Sequence, residues 1–246
     1  DIGEKLGGYL NETLAEIDGF NVVKGFLNLS FSESFWKEFL LNLDAAHYLR
    51  SEVGAGKSVV IEYSSPNTNK PLHLGHLRNN FLGYSVSQIL RACQYEVHEV
   101  CLVNDRGIAI CKSMLMFDKY GDGQTPESAG IKPDFFVVNF YTRFGDENKV
   151  QAQKLAEETG KTVEEVENNT PLMEEAREML RKWEAGDAET MALWKKMNDW
   201  VYAGFEQTYK RIGVQFEKIY YESDTWTEGS RLVDEGLEKG IFYQKE

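Results

Sequence analysis

The sequence predicts an α/β protein: a doubly wound parallel sheet with a helical insertion, preceded by part of a small α+β module. Three observations lead there. Residues 58–63 (SVVIEY) and 96–103 (EVHEVCLV) are short and largely apolar, the texture expected of strands inside a parallel sheet. A helical pattern over residues 76–93 lies between them, so strand, loop, helix and strand make one crossover unit. From about residue 121 to 186 the texture turns polar, acidic and helical, and strand-like residues return at 214–221.

Taken in order, residues 1–53 read as the end of the α+β module. Within them, residues 25–31 (GFLNLSF) alternate Leu27, Leu29 and Phe31 with polar positions, which is strand spacing. Ser32 is placed to cap a helix with the apolar face Phe35, Trp36, Phe39, Leu40 and Leu43. Gly54-Ala55-Gly56 marks a soft boundary, and residues 54–246 form the second domain. Its first strand, 58–63, is expected to be buried on both faces. In the following helix, Leu77, Phe81, Leu82, Val86, Ile89, Leu90 and Cys93 fall on one stripe that predicts the core-facing side. A further helix is expected over 105–120.

In the insertion, Thr162 and Glu165 have capping-box spacing, and Thr170-Pro171 reads as an N-cap followed by proline at the first helical position. A long helix from about Ala188 to Gly213 carries Trp194, Met197, Val201 and Phe205 on a core stripe. The last helix is expected over 228–239. The acidic run 157–167 reads as a solvated face.

Composition bounds the function. The net charge is −13, which does not advertise nucleic acid, but the acidity is uneven. Residues 57–119 hold seven Lys/Arg against five Asp/Glu, a net of +2, whereas residues 146–189 hold six against thirteen, a net of −7. The first half is therefore locally receptive to phosphate and the second repels it. No run of eighteen apolar residues occurs, so no membrane helix is expected, and the N-terminus lacks the basic flank and apolar core of a signal peptide. Cys93, Cys101 and Cys111 fit neither a zinc knuckle nor a redox pair and read as reduced thiols of a cytoplasmic protein. The chain opens on Asp1 without methionine, as a piece of a longer polypeptide would.

The chemistry-bearing stretch is residues 64–76, SSPNTNKPLHLGH. It joins the first strand to a helix at the carboxyl edge of a parallel sheet, where such sheets bind ligands. The helix N-terminus there offers unpaired N–H groups and partial positive charge, which suit phosphate. Gly75 allows close backbone approach. His73 and His76, one turn apart, can donate to phosphate oxygens, and Lys70 adds a mobile cation. By itself a bare H-x-G-H is also compatible with a solvated loop. Pairing of the two histidines on zinc is disfavoured because no third ligand of matching spacing accompanies them, and no protein-bound metal is expected. Residues 104–107 (NDRG) read most simply as a turn and helix cap.

Residues 62–83, EYSSPNTNKPLHLGHLRNNFLG, closely resemble the signature of arginyl-tRNA synthetases, E-[FY]-S-[SA]-P-N-x-x-K-x-x-H-x-G-H-L-R-[SN]. The resemblance extends to VNDRG (103–107), to GFEQTYKRIGVQFEKIYYESDTW (204–226), and to GFLNLSF (25–31), which looks like the close of that family's N-terminal additional domain. It implies a Rossmann-like class I catalytic domain. It implies, too, that Lys70, His73 and His76 serve catalysis, that His73, Gly75 and His76 hold ATP, and that Glu62, Ser65, Asn67 and His76 contact arginine. For Glu62 the competing reading is an ion pair with Arg78 or Arg106.

The implied reaction is activation of L-arginine by ATP, with Mg²⁺ accompanying the nucleotide, and transfer to tRNA(Arg) by a cytoplasmic monomer. Two rival enzyme readings are another class I synthetase and a small H-x-G-H nucleotidyltransferase. The first lacks a reason for SSPN and Lys70, and the second a reason for the N-terminal module and inserted helices. A non-catalytic module retaining the fold is the third. No K-M-S-K-S-like segment occurs in the chain, so this stretch is expected to hold half an active site and to be inactive alone.

Overall fold

The computed structural model describes residues 2–43 and 50–245, in two compact units, residues 1–51 and 52–246. In the first, helix α1 (Ile2–Thr13) precedes an antiparallel hairpin of β1 (Ile17–Val23) and β2 (Phe26–Phe31), followed by α2 (Glu33–Asn42). The hairpin turns on Lys24 and Gly25, both at positive φ (51° and 86°), as a two-residue turn matching strand twist requires. Ser32 caps α2 by accepting from the Phe35 N–H at 3.2 Å. The expected apolar face of α2 is not buried, however. Trp36 is 50% and Leu40 66% exposed; Phe31, Phe35, Trp36 and Phe39 instead pack ring on ring.

The second unit runs β3 (Ser58–Glu62), α3 (Leu74–Ala92), β4 (Glu96–Val103), α4 (Ile108–Tyr120), α5 (Pro126–Ala129), α6 (Pro133–Thr159), α7 (Val163–Val166), α8 (Pro171–Glu184), α9 (Ala188–Ile212), β5 (Lys218–Tyr221) and α10 (Glu222–Glu238). Among the described residues its strands form one parallel sheet in the order β3-β4-β5, so the expected α/β class holds. β4 is central and mostly buried. β3 is an edge, and Val60 is 68% exposed, so the expectation of burial on both faces fails there: a strand with one neighbour has fewer elements to cover it.

α3 is a second correction. Its buried residues are Asn80, Gly83 and Ser87, while Phe81, Leu82, Val86 and Ile89 on the apolar stripe stay exposed. The helix lies on the sheet through its small residues. A Cβ at Gly83 would sit 2.3 Å from Cγ of Tyr63, so glycine sets how closely α3 approaches β3.

The main core lies between α4, α6, α8 and α9, with Met114, Phe144, Val137, Leu172, Met197 and Val201 all but inaccessible. Each such side chain contributes roughly 1.5–3 kcal/mol of burial. The α9 stripe therefore packs as expected. Thr162 caps α7 reciprocally with Glu165, and Thr170 caps α8 with Pro171 at its start. Gly213, left-handed at φ 73°, stops α9.

Two boundaries differ. Only residues 218–221 of the expected strand 214–221 pair in the sheet; Val214 instead closes the end of α9 through the Tyr209 carbonyl. α10 starts at Glu222 rather than at 228, because Asp105 accepts from the Ser223 N–H and hydroxyl at 2.8 and 2.7 Å. That cap comes from 118 residues away and leaves no local signal.

Candidate active site at the carboxyl edge of the sheet

β3 and β4 end side by side, and their exits are stitched together. Asn67 and Asn104 form a parallel bridge. The Thr68 N–H donates to the Asn104 carbonyl (3.1 Å), the Asn104 N–H to the Pro66 carbonyl (2.9 Å), and Asn104 Nδ2 to Asn67 Oδ1 (2.8 Å). The parallel sheet thus continues as a loop ladder past the strands, and Asn67 is fixed at its rim. An open cleft of about 420 Å³ lies there, lined by Asn67, Thr68, Asn69, Asn104, Arg106 and the first turn of α4.

Before this ladder the backbone takes an uncommon course. Ser64 and Ser65 are consecutive non-glycine residues at positive φ, 69° and 43°. Such conformations cost about 1–3 kcal/mol each and persist where the surroundings over-determine them. Here they are over-determined. The buried Ser64 hydroxyl meets the Tyr209 hydroxyl at 2.7 Å, and its N–H donates to Asn79 Oδ1 at 3.3 Å. Ser65 Oγ donates to Glu62 Oε1 at 2.8 Å and accepts from the Leu102 N–H at 3.3 Å.

Glu62 is exposed, and its described partner is Ser65. The ion pair with Arg78 or Arg106 is not formed. Arg106 bonds Glu184 at 3.0 Å and lies over the Trp226 and Trp183 rings at 4.3 and 5.3 Å. Residues 104–107 do hold the cap position of α4. Its N-cap is Gly107 without a side-chain bond, and the buried Asp105 turns instead to Ser223 and to the Tyr202 hydroxyl at 2.8 Å.

At the other end of the loop, His73 is the N-cap of α3. Its Nδ1 accepts from the Gly75 N–H at 3.1 Å, and His76 Nδ1 accepts from the His73 N–H at 3.2 Å. The rings stand 4.1 Å apart. With both Nδ1 atoms accepting, each neutral ring carries its proton on Nε2, the donor it has to offer a ligand. Burial, then His73 and Lys70, push the His76 imidazole below its ordinary value, so it is neutral at pH 7. A Cβ at Gly75 would lie 2.9 Å from His73 Cε1; glycine there leaves the ring its place. Lys70 is half-buried between the two clusters along the chain.

The structure thus joins Glu62 to Ser65, fixes Asn67 on the ladder and couples His73 to His76 across Gly75. The loop's partners Asn79, Leu102, Asn104 and Tyr209 were not among the site residues read from the sequence. Asn79, Asn104 and Tyr209 nevertheless lie within the stretches that carry the family resemblance (62–83, 103–107 and 204–226), whereas Leu102 lies outside them.

Known proteins resemble this chain in both sequence and fold. A family model described as "tRNA synthetases class I (R), catalytic domain" matches residues 40–239. The chain is 53% identical to an arginine–tRNA ligase of Phocaeicola vulgatus, covering 99% of this chain and 42% of that protein, and 48% identical to one of Amoebophilus asiaticus, covering 100% and 41%. It spans about two-fifths of the length of these relatives. Two solved arginyl-tRNA synthetases share its fold. The Plasmodium falciparum structure has a TM-score of 0.59 at 16% identity, covering 98% of this chain and 40% of that one; the Thermus thermophilus structure has 0.58 at 22%, covering 96% and 34%. A matched catalytic-domain model over most of the chain, on a parallel sheet whose edge carries that signature loop, means that this chain belongs to the class I (R) tRNA synthetase catalytic-domain family.

Proposed function

We propose that the polypeptide carrying this chain is an arginine–tRNA ligase, which activates L-arginine with MgATP and transfers it to tRNA(Arg) in the cytoplasm. The observation that carries the reading is the signature loop itself. Its acidic and amide end (Glu62, Ser65, Asn67) and its imidazole end (His73, His76) both lie where the parallel sheet hands over to α3.

In the first step an arginine carboxylate oxygen attacks the α-phosphorus of ATP, forming the acyl–phosphate bond and expelling pyrophosphate. In the second a terminal ribose hydroxyl of the tRNA attacks that carbonyl carbon, losing its proton, and AMP leaves. Neither step needs a nucleophile from the protein; fixed donors and positioning supply the catalysis. His73 and His76 donate through Nε2–H to phosphate oxygens as charge builds, and Lys70 adds its cation beside them. Glu62 faces the guanidinium, and Ser65, Asn67 and His76 orient the amino and carboxylate groups. Mg²⁺ travels with the phosphates and water.

Charging assays test the reading. The full-length polypeptide should attach labelled arginine to tRNA(Arg) as a monomer; attachment of a different amino acid, or of none, would overturn it.

A further inference from the structure

We propose that Tyr209 is a positioning residue, holding the 62–67 loop in the one backbone geometry that presents Glu62 and Ser65 to substrate; this rests on reading that loop as the arginine site. Ser64 and Ser65 occupy left-handed backbone on two successive non-glycine residues, a course that a free loop abandons. Their support within the loop is two bonds, from the Ser65 N–H to the Tyr63 carbonyl at 3.1 Å and from the Ser65 hydroxyl to Glu62 at 2.8 Å. The remaining ties come from outside the loop, and the shortest is the 2.7 Å contact between the Ser64 and Tyr209 hydroxyls. Both residues are buried, at 3% and 5% exposure, so neither hydroxyl has water as an easy substitute.

Tyr209 is itself held rigidly. It stands in the last turn of α9, where its carbonyl accepts from Gly213 and Val214, and its ring packs on Phe216 at 5.2 Å. Phe216 in turn packs on Tyr63 at 4.8 Å, so the same cluster braces the loop at both Tyr63 and Ser64. From Ser64 the constraint passes to Ser65, whose hydroxyl is bonded to Glu62. The helix that closes the insertion therefore sets the conformation of a loop 145 residues earlier.

The test compares Tyr209→Phe, Ser64→Ala and the double variant in the full-length polypeptide, by arginine-dependent ATP–pyrophosphate exchange and thermal midpoint. Loss of one buried hydroxyl bond should raise the KM for arginine about tenfold while the KM for ATP stays within about twofold. Because both changes break the same link, the double variant should be no worse than the poorer single one. Ser64→Ala probes the link from the loop side should Tyr209→Phe fold poorly. A silent Tyr209→Phe in an enzyme that activates arginine, additive effects, or equal rises in both KM values would overturn the proposal. Wild-type exchange driven by another amino acid overturns the arginine reading instead, and the same KM comparison is then made on that amino acid.

Discussion

His73 and His76 are locked to the start of α3 through Nδ1, which decides both tautomer and direction before any ligand arrives. In the full-length polypeptide, His73→Ala or His76→Ala should slow adenylate formation by roughly 10²- to 10³-fold, the usual cost of one transition-state donor. Single-turnover kinetics would check this; near-normal rates in both variants would return the loop to a solvated turn. His76 is also assigned to arginine, so its variant should disturb the KM for arginine more than that of His73.

The lowered value of His76 fixes a sign as well. A histidine held neutral by the fold contributes stability above its ordinary value of 6.5, lost as pH falls through the folded value. His76→Gln should therefore lessen the loss of stability on acidification over that window, as followed by urea midpoints; an unchanged pH slope contradicts the sign. At Glu62, substitution by Gln should weaken arginine binding by about 1–3 kcal/mol, the range for hydrogen bonds to charged groups. A silent Glu62→Gln in an arginine-activating enzyme removes Glu62 from the pocket and leaves the family untouched.

At the scale of elements, α3 shows where periodicity misleads. Its stripe of Phe81, Leu82, Val86 and Ile89 predicted the packed side, yet the helix meets the sheet through Asn80, Gly83 and Ser87. Close approach favours small residues, and hydropathy patterns give those little weight. Gly83→Ala decides the point. Alanine favours the helix by about 1 kcal/mol over glycine, but the added carbon would meet the Tyr63 ring near its root, at 2.3 Å. Overpacking of about 1–3 kcal/mol should win, lowering the urea midpoint; a raised midpoint would mean α3 does not bear on Tyr63.

Local elements were legible in the sequence because their causes are local. The caps at Ser32, Thr162 and Thr170 and the stop at Gly213 all depend on residues within one turn. The early start of α10 depends on Asp105, and the loop geometry on Leu102, Asn104 and Tyr209. Neither spacing nor composition links those residues to what they hold. The contiguous stretch 62–76 was the readable part of the site, and its supports were the unreadable part.

Across the whole molecule, the net charge of −13 sits beside a +2 segment that holds the loop. Local charge that favours phosphate is thus retained within an acidic chain, whose core is shared among α4, α6, α8 and α9. On the proposed reading this loop serves arginine. Arginine offers a planar cation with five donors, which a carboxylate and amide in fixed register distinguish from the single ammonium of lysine. The most direct measurement is ATP–pyrophosphate exchange by the full-length polypeptide with tRNA(Arg) present, run over all twenty amino acids. Arginine should drive exchange and lysine should not; exchange driven by any other amino acid, with arginine inert, would contradict the account.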